Sequence, residues 1–151
     1  MASILVVCDG NHCRSPLAEG LFKAAAGDSL SVGSAGLHPL EEVPADPEAV
    51  RLMGAEGLDI TSHRGRNFTP ALALATDLIL VMDERQKAEC ERRVPSARGR
   101  IYLLGHWQPA PLREIPDPFR KGPEAFRAAL EQIRRSVGDW LSHVIAEQRS
   151  S

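Results

Sequence analysis

The chain has 151 residues, 43% of them hydrophobic and 25% charged, with a formal net charge of −2. This fits one compact domain with a sizeable core and excludes general attraction to nucleic acid or an anionic membrane. No apolar run nears the roughly 20 residues that cross a bilayer, and no basic n-region precedes the first one, so a cytoplasmic protein without membrane insertion is expected.

Ile4-Leu5-Val6-Val7 is short, apolar and rich in β-branched residues, as a buried parallel strand should be. It runs into Cys8-Asp9-Gly10-Asn11-His12-Cys13-Arg14-Ser15-Pro16, where Ser15 is expected to cap a helix and Pro16 to take its first position. Strand, loop and helix start together make an anion cradle, because unpaired amides and the positive end of the helix dipole meet there. Cys8 opens the loop and Arg14 closes it. That environment favours a thiolate at Cys8, Ser15 is placed to donate to it, and Arg14 offers a planar fork to a phosphoryl group. Cys8 is therefore read as a nucleophile for phosphorus, with Arg14 and the loop amides stabilising equatorial charge. The Asp9 amide is expected to face the anion. Its carboxylate is expected at the rim, where it opposes the thiolate and is offset by a protonated His12. Cys13 lies five residues after Cys8, close enough for reversible oxidation of the pair.

The first helix should reach about Ala26, before Gly27-Asp28, and Leu30 to Gly36 reads as a second strand. Asp46-Pro47 caps a helix over Glu48 to Glu56, and Thr69-Pro70 caps a short one. Leu78 to Val81 is the third strand, Asp83-Glu84 opens a charged helix to about Arg93, and Ile101 to Leu104 is the fourth strand. Gly105 to Gly122 holds four prolines and no periodicity, so a long functional loop is expected. The last helix, about Pro123 to Glu147, carries Phe126, Leu130, Ile133, Val137, Trp140, Leu141 and Val144 on one stripe. Alternating strands and helices give an α/β fold: a single domain with a four-stranded parallel sheet flanked by helices on both faces.

The stretch Val7-Cys8-Asp9-Gly10-Asn11-His12-Cys13-Arg14-Ser15-Pro16-Leu17-Ala18-Glu19 resembles the phosphate loop of the low-molecular-weight protein tyrosine phosphatases, and the likeness covers nearly the whole chain. The resemblance implies the phosphotyrosine phosphatase I-like fold and hydrolysis of phosphotyrosine through a cysteinyl-phosphate. It also assigns the general acid. Local sequence alone favours Asp117-Pro118 as a turn into the last helix, whereas the family carries its acid in a late Asp-Pro-aromatic segment, which Asp117-Pro118-Phe119 matches. Ser34, in Ser34-Ala35-Gly36, resembles the serine that supports the phosphate loop through Asn11, and His63 the histidine that completes the network. Gly105-His106-Trp107 and Glu114 to Lys121 are most similar to the bacterial branch acting on tyrosine kinases of exopolysaccharide export. A tyrosine-phosphorylated protein, such as one of those kinases, is the implied partner, and Leu40 matches an aliphatic rim residue of that branch. Neither cofactor nor metal is implied. The chain departs from the family at Asp9, usually apolar or small, at His12, usually isoleucine, and at Phe119, where tyrosine is common.

Other residues carry plainer readings. His38, His106 and His143 read as surface or loop residues, Trp107 as packing under the acid loop, and Arg92-Arg93 and Arg134-Arg135 as solvated faces. Cys90 reads as inert. Three cysteines form no disulfide framework and no CxxC pair that would suggest zinc. Two competing functions use the same loop. An arsenate reductase needs two relay cysteines after the third strand, where only Cys90 stands, and a silent phosphoprotein-binding module has no use for Cys8, Arg14 and Asp117 together.

Overall fold

The apolar run before Cys8 forms the inner strand of the sheet. In the computed structural model, which describes residues 2–150 and side-chain surroundings as far as Val144, β1 (Ala2–Cys8) pairs in parallel with β2 (Leu30–Gly36) on one side and with β3 (Leu78–Val81) on the other. The fourth strand, β4 (Ile101–Leu103), pairs with β3, giving the order β2-β1-β3-β4. The order reverses between β1 and β3, and it is beyond the carboxyl ends of such strands that open parallel sheets bind ligands.

Strand alternation splits the core into two layers. Ile4 and Val6 face one layer with α1 (Arg14–Ala26), α2 (Pro47–Ala55) and the long α6 (Pro123–Ser150), whose Phe126, Leu130, Ile133, Val137, Trp140 and Val144 are buried there. Leu5 and Val7 face the other layer with Phe68, Ala73 from α3 (Pro70–Leu74), and Cys90 from α4 (Glu84–Arg93). Both faces are covered, which suits the uniformly apolar runs Ile4 to Val7 and Leu78 to Val81 in the two central strands. Asp46, Thr69 and Asp83 each cap a helix by accepting a backbone N–H, from Glu48, Leu72 and Gln86 respectively.

Some expected boundaries move. The first helix begins at Arg14 with Cys13 at the cap position and no capping side chain, so Ser15 lies inside the helix and its hydroxyl is left for other work. The long loop holds a short helix, α5 (Ala110–Arg113). Trp107 does not pack under the acid loop. It stacks on His143 at 3.6 Å and leans on Trp140 at the opposite end of the sheet, and His106 joins the same aromatic group. Arg93 is no solvated residue either, since it donates to the carbonyl of Leu37.

Candidate active site

Consecutive carbonyls of the loop after β1 all have partners outside the cradle. Those of Cys8, Asp9 and Gly10 accept the N–H groups of Leu37, His38 and Leu40 at 3.0, 2.7 and 3.1 Å. That of Asn11 accepts from His63 Nε2 at 2.8 Å, and that of His12 accepts the Asp46 N–H at 2.9 Å. In a trans peptide the next N–H points opposite to the carbonyl, and the chain has no cis bonds. The amides of residues 9 to 13 are therefore turned away from these partners. The close approach depends on glycine. A Cβ on Gly36 would lie 2.9 Å from the Asp9 carbonyl oxygen, and one on Gly65 would lie 2.1 Å from that of Leu40.

Asn11 holds the bend. It has φ +52°, a region asparagine tolerates better than most residues, and its side chain is fully used. Its amide donates to Ser15 Oγ at 2.8 Å and Ser34 Oγ at 3.0 Å, while Oδ1 accepts the Arg66 N–H at 2.9 Å. Because Ser15 Oγ already accepts from Asn11, its own hydrogen is free to point at Cys8 Sγ, 3.0 Å away. Ser34 in turn donates to Glu19, which also lies 3.9 Å from His63 Nδ1. Asn11, Ser15, Ser34 and His63 are thus linked by hydrogen bonds around the loop, and Glu19 and Arg66 are further members to which the sequence reading gave no role. Glu19 follows Ser15 by one helical turn, which is the signal that could have found it.

Arg14 is only 3% exposed. One of its nitrogens donates to the Ile115 carbonyl at 2.7 Å; the other lies 3.4 Å from Asp9 Oδ2 and 3.8 Å from Asp117 Oδ2. Ile115 is buried and also donates its N–H to the Met82 carbonyl, so one residue ties the stretch before Asp117 both to the end of β3 and to Arg14. Asp117 is 46% exposed and its Oδ1 accepts the Phe119 N–H in a local turn. Cys8, Asp9, Gly10, His12, Cys13 and Arg14 line a cavity of about 230 Å³. Leu40, Asp117 and Phe119 close it, and His38, an exposed loop residue, joins them at the edge.

The Asp9 carboxylate does not stand free at the rim. Oδ2 accepts from Arg85 Nη2 at 2.7 Å and faces Arg14, so Arg85 supplies the neutralising charge expected of His12. His12 is engaged elsewhere, beside Asp46 and the Pro44 carbonyl. Cys13 is a free, buried thiol. Burial first, then the nearby Asp46 and Cys8, push its pKa well above the ordinary thiol value. Cys90 is buried away from this cavity in the other core layer, where burial pushes its thiol up to about 12.

Residues 3–150 match the model of the low molecular weight phosphotyrosine protein phosphatase family. The chain belongs to that family. It is 44% identical over 144 residues to the probable low molecular weight protein-tyrosine-phosphatase EpsP of Ralstonia nicotianae, covering 95% of this chain and 97% of the relative. The solved tyrosine phosphatase Wzb from Escherichia coli K30, in complex with sulphate, is 39% identical with a TM-score of 0.89, over 94% of this chain and 97% of that one. The YwlE arginine phosphatase from Geobacillus stearothermophilus is 26% identical with a TM-score of 0.92, over 99% and 97%. The chain is thus a low-molecular-weight protein-tyrosine phosphatase with the four-stranded parallel fold of that family. Among the described residues, no helix is long and apolar enough to cross a membrane.

Proposed function

We propose that the phosphatase works through a cysteinyl-phosphate on Cys8. The observation that carries this reading is the convergence of the Cys8 thiol, the buried Arg14 fork and the Asp117 carboxyl on one small cavity. Cys8 Sγ attacks phosphorus while the bond to the tyrosyl oxygen breaks, and Asp117 gives that oxygen its proton. Ser15 donates to the sulfur as it carries charge. Asp117, now a carboxylate, takes a proton from the water that attacks the cysteinyl-phosphate, releasing phosphate and the thiolate. Arg14 and the loop amides meet the equatorial oxygens in both steps, consistent with the sulphate held by the related Wzb.

Leu40 and Phe119 are taken as the rim against which the tyrosyl ring lies, and the substrate as a tyrosine-phosphorylated cytoplasmic protein, such as a bacterial tyrosine kinase of exopolysaccharide export. Oxidation of Cys8 is expected to be reversible through pairing with Cys13. The arsenate-reductase alternative lacks a relay, because Cys90 is buried in the other core layer.

The test is turnover of a phosphotyrosyl peptide, with phosphoarginine and arsenate offered in parallel. Phosphotyrosine should be hydrolysed fastest. Cys8→Ser should abolish turnover yet keep phosphate or vanadate binding, because the amides and Arg14 do not depend on sulfur. Continued hydrolysis by that variant would sink the mechanism, and faster turnover of phosphoarginine would replace the substrate.

A further inference from the structure

His12 is one of two residues of the phosphate loop that depart from the family pattern, and both of its ring nitrogens face oxygen atoms. Its Nδ1 lies 3.0 Å from the Pro44 carbonyl oxygen. That oxygen can only accept, so Nδ1 carries a proton. In the neutral ring, Nε2 then presents a bare lone pair to Asp46 Oδ2, 3.4 Å away. Two acceptors face each other in that tautomer, so the gap takes either a second ring proton, giving an ion pair with Asp46, or a metal ion. The Cys13 sulfur is the third donor: one ligand atom from each of His12, Cys13 and Asp46 lies within 4.8 Å of the others.

We propose that His12, Cys13 and Asp46 bind Zn²⁺ in the wall of the catalytic pocket. A tetrahedral zinc with bonds of about 2.0 Å to nitrogen and oxygen and 2.3 Å to sulfur has ligand atoms roughly 3.3–3.6 Å apart, and the 3.4 Å between Nε2 and Oδ2 fits that edge. A backbone carbonyl holding the distal N–H is the outer-shell contact that orients metal-bound imidazoles. Asp46 is equally prepared. Its Oδ1 caps Glu48, its N–H donates to the His12 carbonyl at 2.9 Å, and Oδ2 is left for the ion. A nitrogen, oxygen and sulfur set suits zinc over magnesium or calcium. On binding, the Cys13 S–H bond breaks, a sulfur–zinc bond forms and the proton passes to solvent. Residues 12 and 13 are adjacent in the chain and Asp46 is far away, so the spacing resembles no zinc motif. His12 and Cys13 also line the catalytic cavity.

The test uses the full-length Cys8→Ser variant, in which the nucleophile cannot be the ligand, titrated with Zn²⁺ against a chromogenic chelator. One equivalent should bind, with release of a proton. Adding His12→Ile or Asp46→Asn should weaken binding more than tenfold, and asparagine keeps the helix cap, so loss of fold cannot explain its effect. Co²⁺ in place of Zn²⁺ should give a thiolate-to-metal charge-transfer band that Cys13→Ala removes. Uptake insensitive to both changes would overturn the site and leave His12 and Asp46 as a plain ion pair. So would uptake that needs Cys8, or a cobalt spectrum without the thiolate band.

Discussion

The loop from Cys8 to Arg14 and the segment from Gly105 to Gly122 supply two sides of one pocket, and they are held in different ways. In the loop, carbonyl after carbonyl has a partner, and Asn11 spends its whole side chain on three neighbours. The segment is tied down ahead of its acidic turn but not at it. Ile115 is buried between Met82 and Arg14, Gln132 donates to the carbonyls of Leu112 and Glu114, Gln108 donates to Asp139, and Trp107 packs on Trp140 and His143. Asp117, by contrast, has a local turn contact and Arg14 at 3.8 Å. Arg14 is almost wholly buried, while Asp117 is nearly half exposed. The difference suits the proposed chemistry. An equatorial array must already be in place when charge develops, whereas an acid that exchanges protons with a leaving group and then with water benefits from access to solvent.

The comparison can be broken first at Arg14. Arg14→Lys removes the fork and its tie to Ile115, so kcat should fall by about a thousandfold, measured on a phosphotyrosyl peptide; a loss below tenfold would mean that a point charge suffices. On the other side, Asp117→Asn should cost about 100-fold or more with a phenolate leaving group, whose pKa is about 10, and less than tenfold with an activated nitrophenolate. Equal losses with both esters would remove Asp117 as the acid.

Asn11→Ala sharpens the contrast in stability. It deletes three side-chain hydrogen bonds and leaves alanine at positive φ, for about 3 kcal/mol in all. At roughly 2–4 °C per kcal/mol for a chain of this size, Tm should drop by about 6–12 °C. Calorimetry checks this, and an unchanged Tm would show that the loop is not held by its side-chain network. The smallest effects belong to the Asp9 pair. Asp9→Asn leaves Arg85 uncompensated near the pocket and should raise kcat/KM for small aryl phosphates a few-fold, while Arg85→Ala should lower it by a similar factor. Both changes should shrink as salt rises. Equal and salt-independent responses would assign the pair a purely structural part.

The chain order already contained the parallel fold. Uniformly apolar strands at Ile4, Leu78 and Ile101 and capped helices at Asp46, Thr69 and Asp83 are local signals, and each became the element they announce. Cys8, Arg14 and Ser15 were legible for the same reason, since a strand, a short loop and a helix place them without help from the rest of the chain. Asp117 was not, because its local sequence describes a turn. Only packing of Ile115, 101 residues after Arg14, carries it to the pocket.

Of the two jobs the sequence offers Ser15, cap and partner of the Cys8 sulfur, its hydroxyl takes the second, because the helix starts one residue earlier and the Asn11 amide fills its acceptor side. The partners of Asp9 and His12 were beyond reach. Arg85 and Asp46 lie 76 and 34 residues away, so no periodicity connects them. Hydrophobic pattern and caps act over a few residues and sequence alone determines them. Which charges meet across the mouth of the pocket depends on how α2, α4 and the acid segment dock on the sheet, and that was left to the tertiary structure.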